Sequence, residues 1–574
     1  KTAWINKYQL DEKKSVEDMF EELTKKSELD DNLTKYEVRT VLMMLDEISK
    51  LGYRGYYPIN IAYGISDKTV AKLEENKLEL PGVKVSLEPV RYYPYGELAA
   101  HTLGYIGKIA QKEEIEKYIE EKNYLPGTLI GKTGVEVKFE DYLKGNDGSR
   151  IVEADAHGNV VKEVKKVDAK PGDTLYLTID AELQKIAEES LEKALTEIRR
   201  GGTYQSEWGN FTFSPAYPSA YSGSVVATDV RTGEILALAN YPSYDPNLFA
   251  TGISSEDWQS LNPDVDEYGL PLYNIAIQSP VQPGSTFKMI TGIAGMENGI
   301  KATKKIYDHG YIKVGNDSFS CLAWSSRRQS HGATDVYKAL EKSCNYYFYA
   351  VALGKIPQTG EILSTESGID SILRVAKEFG LDEKTGIEVP GERIEGVPNK
   401  NSNRISNKAL LERFMKSNID KYIKEDTKLS EKDKEKAIKE IASWVNYEKP
   451  LDKIEVVRRV DKLGLDGERK LAGNKEDLAD IIKYTYLNQS GWNISDTLNT
   501  SIGQGRNAYT PLQMANYIAT LSNGGYRHKV SVVDKVQSYD NTTKTYQPKR
   551  EVERIKIKDY TYLEEVAKGM SQVT

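Results

Sequence analysis

Cysteine is nearly missing from this sequence: there are two in 574 residues, beside five histidines and ten phenylalanines. So few thiols exclude a disulfide-dense scaffold, although an even pair remains compatible with one bridge, a metal site or two idle thiols. No stretch approaches the roughly 20 uninterrupted apolar residues that span a bilayer, and residues 1–8 lack the charged-then-apolar plan of a signal peptide. Positive charge is not in excess either. Lys and Arg number 78 against 86 Asp and Glu, a net charge of -8, which supplies no general attraction for nucleic acid or an anionic membrane surface. No nucleic-acid partner is expected. A solenoid-like internal repeat is also absent.

What is present is globular. Hydrophobic residues are 39% and charged residues 29%, which removes wholesale disorder, collagen and coiled coil from consideration. At about 150 residues per domain, the length allows up to about four domains with a large buried core. Tyrosine is abundant, 38 residues; its ring can stack on sugars, and a compositional habit of the source accounts for it equally well.

Along the chain, residues 15–50 interleave charge with Val16, Met19, Phe20, Leu23, Val38, Val41, Leu42, Leu45 and Ile48 at helical spacing, the pattern of surface helices. Residues 53–90 alternate short β-like runs with Pro and Gly. The spacing predicts a turn at Leu80-Pro81-Gly82-Val83 and a strand over 84–87. Residues 165–171 have linker chemistry, and a strand over 174–179 leads into an amphipathic helix over 181–198, so the main domain boundary is placed there. Runs 224–229 and 235–241, joined through Gly233, read as a hairpin that begins an antiparallel sheet. From 401 to about 488 the composition turns to Lys, Glu and Asp with helical apolar spacing at Ala437, Ile441, Trp444 and Val445, which predicts an inserted helical subdomain.

The sharpest chemical signal is Pro283-Gly284-Ser285-Thr286-Phe287-Lys288, where a hydroxyl and an amine three residues apart share one helix face after a Pro-Gly break. A serine hydroxyl becomes a nucleophile when a neighbouring base takes its proton, and a lysine with a lowered pKa can be that base. The same spacing at Ser190-Leu191-Glu192-Lys193 reads as a solvated helix face. A second element, Ser343-Cys344-Asn345, follows a helical stretch and precedes Tyr346-Tyr347-Phe348-Tyr349. Ser343 can relay a proton and the Asn345 amide can hold a substrate amide; the blander reading is a serine helix cap.

With these motifs in this order, the chain resembles the penicillin-binding proteins, more narrowly the class B D,D-transpeptidases of the cell-elongation branch. The resemblance also rests on Arg91-Tyr92-Tyr93-Pro94-Tyr95-Gly96, His101, Leu103-Gly104-Tyr105-Ile106-Gly107 and residues 131–136 in the first part. Further on it rests on Leu177-Thr178-Ile179-Asp180, residues 229–237, Ser501-Ile502-Gly503-Gln504-Gly505 and Thr510-Pro511-Leu512-Gln513. It implies an α+β penicillin-binding/serine β-lactamase-like domain over 173–574, mainly antiparallel sheet covered by helices with a helical subdomain, behind an elongated N-terminal pedestal over 1–172. The charged helical insertion falls at about 401–488.

The resemblance implies Ser285 as acyl-accepting nucleophile, Lys288 as its base, Ser343 as relay and Asn345 as substrate holder. The implied activity is cross-linking of peptidoglycan stem peptides, with β-lactams acylating the same serine and no cofactor needed for acyl transfer. A D,D-carboxypeptidase and a non-catalytic scaffold or β-lactam sensor are the alternatives. A membrane-embedded glycosyltransferase is the implied partner. The implied location is extracytoplasmic, on a single N-terminal membrane anchor that this chain does not contain.

One family element departs. The family's third motif, Lys-[Ser/Thr]-Gly on a strand beside the nucleophile, has two sequence candidates. Lys132-Thr133-Gly134 matches the pedestal pattern, and Lys384-Thr385-Gly386 follows a helix stop at Phe379-Gly380, a poor site for a strand-edge clamp. The expectation is that the functional motif lies beyond Thr574. Asn274-Ile275-Ala276 also differs from the Asn-Arg-Ala that relatives often carry.

Cys321 and Cys344 bracket His331, with Asp308 in the same span. Two thiolates, an imidazole and a carboxylate make a set suited to closed, tetrahedral structural zinc, and some elongation-branch relatives are similar here. A Cys321 to Cys344 disulfide and two buried thiols are the other readings. His309 is an alternative ligand; His101, His157 and His528 are read as structural or surface histidines.

Overall fold

The computed structural model describes residues 5, 7, 8, 10, 14–30, 32–50, 59–80, 82–125, 127–154, 160–263, 269–315, 317–471, 473 and 475–573. His157 and Pro81 lie outside them. The chain divides into two compact units, the first made of Lys1–Leu175, Ser243–Leu272 and Val536–Tyr546, the second of Tyr176–Pro242, Tyr273–Lys535 and Gln547–Thr574.

In the first unit, α1 (Val16–Lys26) starts where Ser15 accepts the Asp18 amide, and it carries Glu17 and Asp18 in its first turn and Lys25 and Lys26 in its last. That order complements the helix dipole. It buries Met19 and Leu23 in a cluster with Val38 and Leu42 of α2 (Lys35–Lys50), the stripe that the sequence periodicity marks. A third helix, α3 (Asp67–Glu75), buries no residue and is capped by Ser66. The Val83 amide closes the expected turn on Leu80 O at 3.2 Å. The strand expected over 84–87 does not form: the run is exposed and has no ladder partner among the described residues. A β pattern becomes a strand only when another backbone takes up its amides and carbonyls.

Strands β1 (Ile106–Lys108) and β2 (Leu129–Gly131) pair antiparallel, as do β3 (Ser149–Ala154) and β4 (Val160–Val167). β4 therefore occupies the first part of the expected linker at 165–171, because its lysines sit on an exposed two-stranded ribbon and are not loop residues. The motifs of this unit converge on Glu136, which takes hydrogen bonds from Arg91 Nη2 and Tyr93 Oη, each at 3.0 Å. Lys132 is held by Glu114 at 2.7 Å, so Lys132-Thr133-Gly134 serves the packing of this unit. His101 is buried, hydrogen-bonded through Nε2 to Pro271 O at 2.7 Å, and pushed down to about 4 by desolvation, as befits a structural histidine.

A strand at Thr174–Leu177 precedes α4 (Ala181–Arg200) of the second unit, which is capped by Asp180 and ended by Gly201 in the left-handed region. Lys193 on this helix donates to Gln205 O at 2.8 Å, consistent with a surface role for the second Ser-x-x-Lys. The hairpin β5 (Gly223–Thr228) and β6 (Ile235–Tyr241) forms as expected, with Gly233 at φ +75 in its turn. Ala187 of α4 meets Ala237 and Ala239 of β6, small residues that let helix and sheet approach closely.

The centre of the unit is α5 (Lys288–Glu297), every residue of which is buried. After it come β7 (Ile306–Asp308), β8 (Tyr311–Val314), β9 (Asp317–Ser320), α6 (Leu322–Arg327), β10 (Gly332–Thr334), α7 (Val336–Glu341), α8 (Asn345–Leu353) and α9 (Ile369–Glu378). β7 pairs with β10 and β8 with β9, all antiparallel. The aromatic run Tyr346 to Tyr349 lies in α8 and is wholly buried against α5 in one core, which explains a helix apolar on every side.

The 401–488 insertion is helical, with α10 (Lys400–Asn418), α11 (Glu431–Ser443) and α12 (Lys453–Lys462). Ala437, Ile441, Trp444 and Val445 are buried in an apolar cluster with Leu411, Val456 and Ile482, separate from the core around α5. Three helices complete the unit: α13 (Ile494–Ser501), α14 (Pro511–Ser522) and α15 (Thr561–Met570). No helix among the described residues is long and apolar enough to cross a membrane.

Candidate active site

Ser285 lies in the 3-10 turn Gly284–Phe287 that feeds directly into α5, so its hydroxyl stands at the start of a buried helix. Lys288, one helical turn on, is 1% exposed. Its Nζ donates to Ser343 O at 2.8 Å, to Ser343 Oγ at 2.9 Å and to Asn345 Oδ1 at 2.6 Å. Ser343 Oγ in turn donates to Ser285 Oγ at 2.8 Å. The two sequence motifs, 55 residues apart, thus meet in one chain of hydrogen bonds. The pairing of Lys288 with Ser285 runs through Ser343, an intermediary that helical spacing alone does not reveal.

Burial pushes Lys288 down to about 8, because an ammonium loses hydration there; the nearby sulfurs of Cys321 and Cys344 oppose the shift. An amine near 8 is partly neutral close to neutral pH and can accept a proton.

Ser343 adopts φ +49, a left-handed conformation uncommon for a residue with a side chain. It sits in the break between α7 and α8, and Cys344 takes the cap position of α8, so the serine-cap reading does not hold. The bend aims the hydroxyl at Ser285 rather than at the helix end. Strain of this kind persists where the surroundings over-determine it, and three donors and acceptors do so here. Asn345 also donates through Nδ2 to Ser320 O at 3.3 Å, which ties the end of β9, next to Cys321, to the site.

The segment 501–513 buttresses the turn that carries Ser285. Gly503 O accepts the Gly284 amide at 2.9 Å, Val281 and Tyr509 exchange two backbone hydrogen bonds at 3.0 Å, and Gln282 Nε2 donates to Gly505 O at 2.6 Å. A Cβ on Gly503 would fall 2.1 Å from Gly284 O, and its φ is +73, so only glycine fits. Tyr517 Oη holds Thr286 O at 3.1 Å. Tyr509 and Tyr517 hold this turn in place, and no motif singled out in the sequence marks them.

Lys384-Thr385-Gly386 is not on a strand. Glu392 takes the Thr385 amide at 2.8 Å and its hydroxyl at 2.7 Å, and Gly380 at φ +78 ends the preceding helix, the turn setting expected of it. Ile275 is partly exposed in the short helix Ile275–Gln278, whose anchors are the neighbouring Asn274 and Ala276, both bonded to Asn240.

A second cluster abuts Ser343. One donor atom from each of Asp308, Cys321, His331 and Cys344 lies within 4.8 Å of the others. His331 Nδ1 is 3.0 Å from Asp308 Oδ2 and 3.5 Å from Cys321 Sγ, while Cys344 Sγ is 3.6 Å from Asp308 Oδ2. Two of these separations, 3.5 and 3.6 Å, fall within the edges, about 3.3–3.8 Å, of a tetrahedron with zinc-ligand bonds of about 2.0–2.3 Å, while the 3.0 Å contact is shorter and the set as a whole is looser. Asp308 also accepts the amides of Gly310 at 2.7 Å and His331 at 2.9 Å, contacts that fix the orientation of its carboxylate. Both cysteines are buried and free, so the bridge considered from sequence is not formed. Cys321 is pulled down to about 5 by the hydrogen bond from the Cys344 thiol, and Cys344 is pushed up, since one proton serves two adjacent sulfurs. His309 is not among the converging donors; it lies between the rings of Tyr307 and Tyr346, at 5.2 and 5.9 Å. His528 is half-buried, away from both clusters' hydrogen bonds, and lowered by desolvation.

The architecture is α+β, of the penicillin-binding/serine β-lactamase-like class. The family model of the penicillin-binding protein dimerisation domain matches residues 2–177, and that of the penicillin binding protein transpeptidase domain matches residues 223–413 and 468–574. The chain belongs to the penicillin-binding protein family.

Among curated relatives, the peptidoglycan D,D-transpeptidase MrdA of Acinetobacter baumannii is 36% identical over 342 residues, covering 59% of this chain and 44% of the relative. MrdA of Escherichia coli K12 is 31% identical over 345 residues, 60% of this chain and 48% of the relative. The chain thus spans about half the length of the curated relatives it matches. Among solved structures, the complex between penicillin-binding protein PBP2 and MreC from Helicobacter pylori aligns with TM-score 0.57 at 20% identity, over 94% of this chain and 77% of that one. Pseudomonas aeruginosa PBP2 in complex with WCK 5153 aligns with TM-score 0.51 at 24% identity, over 85% and 76%. These likenesses concern the fold.

Proposed function

We propose that this protein is a peptidoglycan D,D-transpeptidase of cell-wall elongation. Ser285 Oγ attacks the carbonyl carbon of the penultimate D-Ala of a stem peptide. Its proton passes to Ser343 Oγ as the Ser343 proton moves to neutral Lys288 Nζ. The Ser285 N–H, at the start of a helix where amides lack intrahelical acceptors, supports the developing oxyanion. The C–N bond breaks, the departing D-Ala amine takes the proton back along the same chain, and the acyl-enzyme remains. An amine of a neighbouring stem peptide then attacks it, gives up its proton to the same relay and releases Ser285. Asn345 holds the substrate amide. The observation that carries this reading is the contact series Lys288 Nζ to Ser343 Oγ at 2.9 Å and Ser343 Oγ to Ser285 Oγ at 2.8 Å.

Residues 173–574 are proposed as the transpeptidase domain, with 401–488 as a decoration on it. Residues 1–172 are proposed as the pedestal that meets a membrane-embedded glycosyltransferase. The relatives' names support the substrate, and a structural neighbour from a peptidoglycan synthase complex that coordinates polymerization and crosslinking supports the partner. The protein is placed at the cell membrane with its bulk extracytoplasmic. Asp308, Cys321, His331 and Cys344 are proposed to hold a structural zinc; when bound it supplies no chemistry to acyl transfer and fixes the loop before α7 against Ser343.

A labelled penicillin should form a covalent adduct on Ser285, lost in Ser285→Ala. An adduct on another residue, or none on a folded protein, overturns the reading.

A further inference from the structure

Between α4 and β5 the chain makes an excursion that neither family model covers, since they end at 177 and resume at 223. Residues 203–206 and 209–212 form an antiparallel hairpin with Glu207 and Trp208 at its tip. From 201 to 223 there are six aromatic residues, a single acid, Glu207, and no Lys, Arg or His. Tyr204 and Phe211 face each other directly across the strands. Trp208 is 91% exposed, Phe211 60% and Tyr217 56%. Lys193 reaches over the Tyr204 ring at 4.7 Å and Arg199 over Tyr221 at 6.0 Å, so those two rings are engaged while Trp208 and Phe211 are offered to solvent.

Large rings kept in water, on an element that buries little of its own, mark a contact surface. Its chemistry selects among occupants. An anionic membrane surface is recognised by clustered cations, and the segment has none. A protein interface core wants contiguous apolar area, whereas here the face with Tyr204 and Phe211 also carries Ser206, and the opposite face carries only Gln205, Asn210 and the Thr203 and Thr212 pair, whose hydroxyls meet at 2.9 Å. An exposed ribbon with rings on one face, amides and hydroxyls on the other and almost no charge matches a polymer of N-acetylated sugars. Its C–H faces stack on aromatics, while the amide pair Gln205 and Asn210 on the opposite face of the ribbon keeps that side polar and uncharged.

We propose that this hairpin is a glycan-binding site, taking the sugar strand from which the stem peptides hang, with Trp208 and Phe211 as stacking platforms. The inference rests on the transpeptidase reading for the choice of polymer, and not for the site itself.

The test uses the full chain and two probes, a β-1,4-linked N-acetylglucosamine oligomer and glycan strands stripped of stem peptides, followed by tryptophan fluorescence and calorimetry. Wild type should bind both. Trp208→Ala combined with Phe211→Ala should weaken binding about tenfold or more, with the melting curve and penicillin labelling of Ser285 unchanged. If that variant melts early, Trp208→Phe, which keeps a ring, should retain most of the binding. No binding by wild type that still labels with penicillin overturns the hairpin site alone. Equal binding by the alanine variant overturns it too, as does hairpin-dependent binding to phosphatidylglycerol vesicles or to a second copy without glycan binding. Hairpin-dependent glycan binding by a protein that penicillin does not label supports the site and removes the transpeptidase reading.

Discussion

Ser343 donates its hydroxyl hydrogen to Ser285 Oγ at 2.8 Å from a left-handed backbone, φ +49, between two helices. Its oxygen is at the same time 2.9 Å from Lys288 Nζ. In the proposed mechanism a serine so placed is the bridge between nucleophile and base. Ser343→Ala should slow penicillin acylation by about 100-fold or more, the usual worth of a positioned proton relay, while Ser285 stays the labelled residue. Stopped-flow acylation with mass mapping of the adduct checks this; an unchanged rate would mean that Lys288 reaches Ser285 without help.

The lowered Lys288 pKa sets a pH dependence. Only neutral Lys288 accepts the proton, so the acylation rate should rise with pH through about 8 and then level off. Stability follows the same group. Folding lowers this pKa from 10.5 to about 8, so between those values the unfolded chain binds more protons than the folded one, and stability should increase as pH rises across that window. Below it the full cost of the buried ammonium is present, roughly 3 kcal/mol. Lys288→Met should therefore abolish acylation yet unfold at higher denaturant concentration at pH 7, measured by penicillin labelling and urea melts on the same samples.

The proposed zinc can be removed. Purified protein should contain one zinc per chain with both thiols silent to a thiol reagent, and chelation should lower the melting temperature and expose two thiols. Cys321→Ser should bind metal weakly, since a hydroxyl replaces a thiolate ligand. Two reactive thiols and no metal in freshly purified protein would remove the site.

Gly503 tests the buttress. In Gly503→Ala the new Cβ meets Gly284 O, so the nucleophile turn must shift or the loop must open. A loss of about 2 kcal/mol in stability is expected, together with slower acylation and an adduct still on Ser285. Thermal melts and acylation rates measured together separate this from simple unfolding.

The insertion has its own core, so Trp444→Ala, which empties a site 1% exposed, should cost about 3–5 kcal/mol locally. Penicillin labelling of Ser285 should persist, and protection from hydrogen exchange should fall within residues 401–488 alone.

The sequence by itself determined the elements whose signals are local. Helical periodicity marked α1, α2, α4 and the 401–488 insertion, Gly233 marked the hairpin turn, and one turn of helix set Ser285 and Lys288 on a common face. It also held all four members of the cluster of Asp308, Cys321, His331 and Cys344, because thiols are so few that two of them bracketing one histidine stand out. Tertiary structure decided the rest. Residues 84–87 look like a strand and have no ladder partner among the described residues, and the lysines of β4 look like a linker yet pair with β3, because pairing depends on a second segment that local pattern does not contain. Only the fold put Ser343 between Lys288 and Ser285, brought Gly503 against Gly284 and buried Lys288 deeply enough to lower its pKa. Hydrogen bonds and desolvation act over a few ångströms in space, and residues 55 to more than 200 positions apart come within that range only once the chain has packed.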